Sequence, residues 1–259
     1  MKQWMIKHME IVAIVVSLCC LGLSSLFSWD NNPVMGLDKL SADLLIVAGC
    51  LILIRVSGLW PGAGFQKASF AKGMMYGIPF LIIGVGSVFV SNAGVDFSKL
   101  EFLSVPNALL FTANMLLVGA NEEIWMRSFI LNGLVAKYGI DRKNAWKAIV
   151  VAALIFGAVH LPNIAFVHPV TLGVQVINAA AAGVLFGVMY LRSRNIWAGI
   201  LVHALVDWLG LFVANCFTGG SSVLVMEMSV GQGIMIAAMC AIPPVLISVW
   251  LMRKYGQDG

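Results

Sequence analysis

Apolar residues run along this chain in long blocks instead of alternating or recurring with the period of a soluble helix. Eight blocks stand out, at 10–28, 43–60, 73–92, 104–126, 146–161, 170–191, 196–215 and 232–252. A helix needs about 20 apolar residues to cross roughly 30 Å of hydrocarbon, so each block predicts a membrane-spanning helix. Arg55 near the end of the second block can carry its charge to the interface on its long stem. Punctuation predicts the helix ends. Pro106 suits a first turn. Gly139 suits a left-handed C-terminal position, and Asp141 an N-cap. Pro79 and the pair Pro243-Pro244 lie inside blocks three and eight and predict kinks there. Ala179 to Ala182, Gly183 and Gly187 predict close helix contact along block six.

Composition agrees. Hydrophobic residues make up 60% of the 259 positions and charged residues 11%, with a mean hydropathy of +0.93. Too few charges remain to cover a water-soluble globule, which excludes a cytosolic enzyme, a nucleic-acid binder and a disordered tail. The expected fold is therefore all-α: a single integral membrane domain over 1–259, built as a bundle of about eight transmembrane helices. No repeat, low-complexity tract or second domain is visible. Cys19, Cys20, Cys50, Cys216 and Cys240 show no CxxC pairing and predict neither a disulfide frame nor a zinc knot.

The charges orient the bundle. With a cytoplasmic N-terminus and eight spans, 13 Lys and Arg residues fall inside and only Lys39 and Lys99 outside, with Arg127 intramembrane. The outer loops instead carry Asp30, Asp38, Asp43, Asp96, Glu101 and Glu227. The positive-inside rule then predicts both termini in the cytoplasm, in what reads as a prokaryotic plasma membrane. The basic start at Lys2 and Lys7 resembles a signal peptide. However, its apolar run exceeds the usual 7–15 residues and no A-x-A site follows, so a retained anchor is expected.

Six ionisable residues sit inside the apolar blocks: Glu122, Glu123, Arg127, His160, His203 and Asp207. Each charge costs roughly 2.5–3.5 kcal/mol at a helix centre, and such residues mark function by default. Glu123 and Arg127 are four apart, share a helix face and can pair. Glu122 is rotated by about 100° and is left to face a cavity. His203 and Asp207 are again four apart, and Phe156 stands one turn before His160. Counted from the nearest basic flank at 1.5 Å per residue, Glu122, His160 and His203 lie about 22, 20 and 13 Å deep, so three helices bring carboxylates and imidazoles to overlapping depth. His8 and His168 read as solvated flank residues. Asn114, Gln175 and Asn178 read as interhelical hydrogen-bond formers.

These residues fall in three motifs: EEIWMR (Glu122 to Arg127), FGAVH (Phe156 to His160) and HALVD (His203 to Asp207). In this order they resemble the EExxxR, FxxxH and HxxxN/D motifs of the CPBP family. That family includes the CAAX prenyl endopeptidases and bacteriocin-processing or immunity relatives. The likeness covers about 104–215. It implies an intramembrane glutamate-type endopeptidase acting on a membrane-associated protein or peptide substrate in the lipid bilayer. The resemblance makes Glu122 the general base for water and His160 its helper. His203 and Asp207 become the oxyanion-stabilising pair, with Glu123 and Arg127 supporting. A prenylated CAAX protein is one substrate type the family implies, a leader peptide another.

The chain departs from the family at two places. Ser128 stands where a Gly commonly follows the motif Arg. Asp207 stands where prenyl-protease relatives carry Asn, and an Asp donates to an oxyanion only when protonated. No cofactor is expected, although the family was once classed as metalloproteases. Glu122, His160 and His203 are the residues that would hold a zinc ion. Zinc-bound imidazoles are normally held by a further group; Asp207 can serve His203, whereas no carboxylate lies three or four residues from His160. Two other functions fit the same composition. One is a membrane immunity or partner protein that does not need catalysis. The other is a proton-coupled transporter, which the lack of an internal repeat disfavours.

Overall fold

The computed structural model describes residues 2–27, 35–222 and 227–255. Along these runs the chain forms helices α1 (Lys2–Lys7), α2 (Met9–Leu26), α3 (Leu37–Val56), α4 (Phe70–Ser91) and α5 (Val105–Glu123). Helix α5 continues without a break through a π-helical segment, Ile124–Leu131, into α6 (Asn132–Tyr138). Then come α7 (Arg142–Ala158), α8 (Pro169–Ser193), α9 (Ile196–Cys216) and α10 (Val230–Met252). The only strands among the described residues are β1 (Glu101–Phe102) and β2 (Phe217–Thr218). They pair antiparallel with Glu101 opposite Thr218 and tie the start of α5 to the end of α9. The molecule is an all-α integral membrane protein.

Six of the expected spans are helices long and apolar enough to cross a bilayer: α2, α4, α7 with its following turn, α8, α9 and α10. The second and fourth blocks also form helices, α3 and α5, but both are more polar. Helix α3 carries Asp38, Lys39, Asp43 and Arg55. Helix α5 carries Asn107, Asn114, Asn121 and the two glutamates.

The end signals act where expected. Pro106 lies in the first turn of α5, behind the Ser104 cap. Gly139 ends α6 at φ +108°. Asp141 caps α7 by accepting from the Asn144 amide, and that bond holds its carboxyl below the usual carboxylate range.

Helices α4 and α5 pack on α9, α7 and α10 pack on α8, and α3 packs on α5 and the π-helical segment. Small residues set the distances. A Cβ on Gly119 of α5 would lie 2.8 Å from the Ile200 carbonyl oxygen of α9. One on Gly183 of α8 would lie 3.0 Å from the Ala153 Cα of α7. In hydrocarbon this backbone proximity supplies the packing that a hydrophobic drive cannot. Large apolar side chains point outward instead; Ile78, Ile82 and Phe89 on α4 are exposed, as lipid-facing residues should be.

Two expectations need correction, and one falls outside the structure. Asp43, placed with the outer loops by its charge, is fully buried inside α3. Its Oδ2 pairs with Lys39 Nζ one turn earlier at 2.6 Å, so the charge enters with its own partner. Asn178 was expected to bond across helices, but its Oδ1 is buried without a partner among the described residues. Gln175 Oε1 accepts from Asn163, in the turn Leu161–Ala165 ahead of its own helix, at 3.0 Å. Asp30 lies outside the described residues.

Candidate active site

The motif residues converge on one imidazole. Gly199 gives Glu123 its room: a Cβ there would sit 3.1 Å from Glu123 Oε2. Helix α9 then presents His203 one turn on, with Nδ1 2.8 Å from Glu123 Oε1. A carboxylate oxygen can only accept, so Nδ1 donates this hydrogen bond. The other ring nitrogen faces the remaining carboxyls: Nε2 is 3.5 Å from Glu122 Oε2 and 3.6 Å from Asp207 Oδ2. Those separations suit an ion pair or a bridging water better than a direct hydrogen bond. Two adjacent glutamates thus approach opposite nitrogens of a single buried ring.

Arg127 sits on the buried side. Its Nε is 3.2 Å from Glu123 Oε2, as the spacing of four predicts. The guanidinium carbon lies over Phe156 at 4.6 Å and over Phe186 at 5.1 Å. These faces attract the cation where water cannot reach it. Both terminal nitrogens lack a hydrogen-bond partner among the described residues, so Glu123 and the two rings are what hold the charge. Phe186 also stacks on His203, with centroids 5.0 Å apart and planes at 17°. The ring plane of His203 is therefore set by α8 while its Nδ1 is held by α5.

His160 stands just beyond α7, ahead of the turn Leu161–Ala165, and not within a helix. Its Nδ1 donates to the Phe156 carbonyl at 2.8 Å. The Phe156 ring meets both imidazoles edge-on, at 5.3 Å from His160 and 6.0 Å from His203. No carboxylate was expected three or four residues from His160, and the group that holds it is a backbone carbonyl four residues back. It also corrects the expected partner of His203, which is Glu123 more than Asp207. Among the described residues no three His, Cys, Asp or Glu side chains are gathered as a metal-holding group.

Several contacts here have no short-range signature. Phe186, Gly199, Asn121 and Asp43 belong to no motif. Of these, only Asp43 carries a local signal, a Lys four residues earlier at the edge of an apolar block. Asn121 Nδ2 donates to Asp43 Oδ1 at 2.8 Å. Ser128, the departure after Arg127, is fully buried and its Oγ donates to the Ala63 carbonyl at 2.7 Å. Asn132 Nδ2 reaches Leu59 O at 2.8 Å, and the Tyr190 hydroxyl donates to Gly62 O. The segment 57–69 between α3 and α4 is thereby bonded beneath the π-helical turn. A Gly at 128 could not make that bond.

The comparisons agree with these motifs. Residues 104–209 match the profile of the family described as Type II CAAX prenyl endopeptidase Rce1-like. Over that stretch the chain is similar to the CAAX proteases. YdiL of Bacillus subtilis (strain 168), whose name proposes a membrane peptidase, is 26% identical over 155 residues. That match covers 60% of this chain and 55% of YdiL, so the likeness spans little more than half of that relative. The CAAX-protease match contains all three motifs, from Glu122 to Asp207.

Proposed function

We propose that this chain is an intramembrane endopeptidase that hydrolyses a peptide bond in a membrane-associated protein or peptide precursor. The observation that carries this reading is the convergence of Glu122, Glu123 and Asp207 on His203. Glu122 acts as general base: it takes a proton from water as the oxygen adds to the scissile carbonyl carbon. The carbonyl oxygen becomes an oxyanion. His203, when it carries both protons, donates to it from Nε2, and Asp207 donates as the acid. On collapse the C–N bond breaks and Glu122 returns its proton to the leaving nitrogen. His160 holds the attacking water. Glu123 and Arg127 do not touch substrate; they fix the tautomer and position of His203.

An apolar cavity of about 250 Å³ between α5 and α9 is lined by Thr112, Met115 and Leu116 of α5 and Ala204, Leu205 and Trp208 of α9. Ala204 and Trp208 are chain neighbours of His203 and Asp207, and we take the cavity as the seat for an apolar stretch of substrate. This suits a precursor reached within the bilayer, in a plasma membrane of prokaryotic type.

The test compares membranes carrying the wild-type chain with membranes carrying Glu122→Gln, by mass spectrometry of newly formed N-termini. Peptides spanning each site found are then made as quenched fluorogenic probes. Glu122→Gln lowers cleavage by about 10²–10⁴-fold, the usual contribution of a general base, and still inserts and folds. Cleavage at the wild-type rate overturns the proposal. Elemental analysis of active protein and exhaustive chelation belong to the same test. Stoichiometric zinc, with activity lost and regained in step, would replace direct base catalysis with metal chemistry.

A further inference from the structure

Asp43 is a further buried ionisable side chain, and the chemistry above does not use it. It belongs to α3, has no solvent exposure, and is joined through Asn121 to the turn of α5 that carries Glu122. Its two oxygens have separate jobs. Oδ2 pairs with Lys39, and Oδ1 accepts from Asn121 Nδ2. Asn121 is itself buried, and its Oδ1 has no partner among the described residues. The link to Asp43 is thus the polar tether of that amide. It lies at a vulnerable place. Helix α5 changes from α- to π-helical winding after Glu123, and such segments are rare and frequently sit at functional sites. A helix at that transition can slide or rotate unless a neighbouring element pins it, and α3, like α9, is packed on both sides of the change.

We propose that Asp43 and Asn121 are positioning residues that pin this turn of α5 against α3 and so hold Glu122 against His203. The inference rests on Glu122 as the water-activating group, and deepens that reading by naming what places it. Lys39 holds Oδ2 and so orients the Asp43 carboxyl, leaving Oδ1 as the acceptor offered to Asn121. Removing either end frees the same contact. Misplacement by an ångström or so at a general base is enough to cost rate without changing how substrate is bound.

The test uses the full chain in detergent micelles with two readouts. The first is cleavage of a fluorogenic peptide that the wild-type chain cleaves and Glu122→Gln does not. Asp43→Ala and Asn121→Ala each lower kcat by about tenfold or more, with KM within about twofold. Asp43→Asn keeps an acceptor for Asn121 and stays within about threefold of wild type. The double variant Asp43→Ala/Asn121→Ala falls no further than Asn121→Ala, because both remove one tether. The second readout needs no substrate. The chain has four histidines, so side-chain 15N spectra are sparse, and His203→Gln assigns the His203 signals. Asp43→Ala shifts those signals while His8 and His168 stay in place; Asp43→Asn leaves all of them unchanged. Where Asp43→Ala does not fold, Asn121→Ala carries the test with the Lys39–Asp43 pair intact. Wild-type kcat in the alanine variants, additive losses in the double variant, or unmoved His203 signals would each overturn the proposal. If no peptide is cleaved by the wild-type chain, the proposed activity fails and the His203 spectra alone decide the tether.

Discussion

Glu122 and Glu123 are neighbours in the chain, yet the structure gives them opposite kinds of surroundings. Glu123 is buried among Arg127, His203 and Gly199, while Glu122 keeps part of its side chain open. The difference follows from the 100° turn between consecutive helical residues. It predicts different failures. Glu123→Gln removes the countercharge from an Arg127 whose terminal nitrogens already lack hydrogen bonds. Stranding one member of a buried pair costs about 3–5 kcal/mol. Thermal unfolding in detergent should therefore fall markedly for Glu123→Gln and hardly at all for Glu122→Gln, although cleavage is lost in both. Equal midpoints for the two variants would contradict the separate roles. Ser128 makes a related point. It departs from the family pattern, and the structure uses its hydroxyl to bond the segment 57–69.

At the scale of helices, the site is a matter of spacing between backbones. Helix α5 and helix α9 approach so closely at Gly119 that even a methyl group would crowd Ile200 and Ala204. Both helices carry site residues beyond that contact, so the distance from Glu122 to His203 depends on it. Gly119→Val forces the pair apart, with an overpacking cost of about 1–3 kcal/mol. It should lower the thermal midpoint and abolish cleavage together. Gly86 on α4 supplies the control, because nothing lies within 4 Å of a Cβ there. Gly86→Val should leave both measurements near wild type. A harmless Gly119→Val would show that α5 and α9 can separate without moving the chemistry.

At the scale of the molecule, lipid takes the place that water has around a soluble fold. Exposed side chains on α4 and α10 include Met75, Ile82, Ile234 and Trp250, a surface that only a bilayer or detergent can cover. The basic residues gather at one end. Arg142 reaches the Arg253 carbonyl and Arg192 reaches the Lys254 carbonyl, so the start of α7 and the ends of α8 and α10 meet there. The positive-inside rule predicts that this end is cytoplasmic and, with eight crossings, that both termini lie on that side. Reporter fusions at each terminus should both give cytoplasmic signals. A C-terminal signal from the opposite side would remove one crossing, with α3 and α5, the two most polar helices, the first to be questioned.

What the sequence determined by itself is what a membrane helix settles locally. A spanning segment satisfies its own backbone hydrogen bonds, so the length of an apolar run is enough to announce it. Caps and the Glu123–Arg127 pair follow from spacings of three or four residues, and three motifs in order carried the family likeness. Only the tertiary structure decided which helix faces which. All the spans are similarly apolar, and lipid gives no hydrophobic preference among them, so partners depend on small-residue fit and a few polar contacts. Those contacts join distant parts of the chain: Glu123 and His203 are 80 residues apart, Asp43 and Asn121 are 78. For that reason Asp43 read as a loop acid until α3 folded against α5. For the same reason the stack of Phe186 on His203, which no spacing encodes, appears only when α8 and α9 stand side by side.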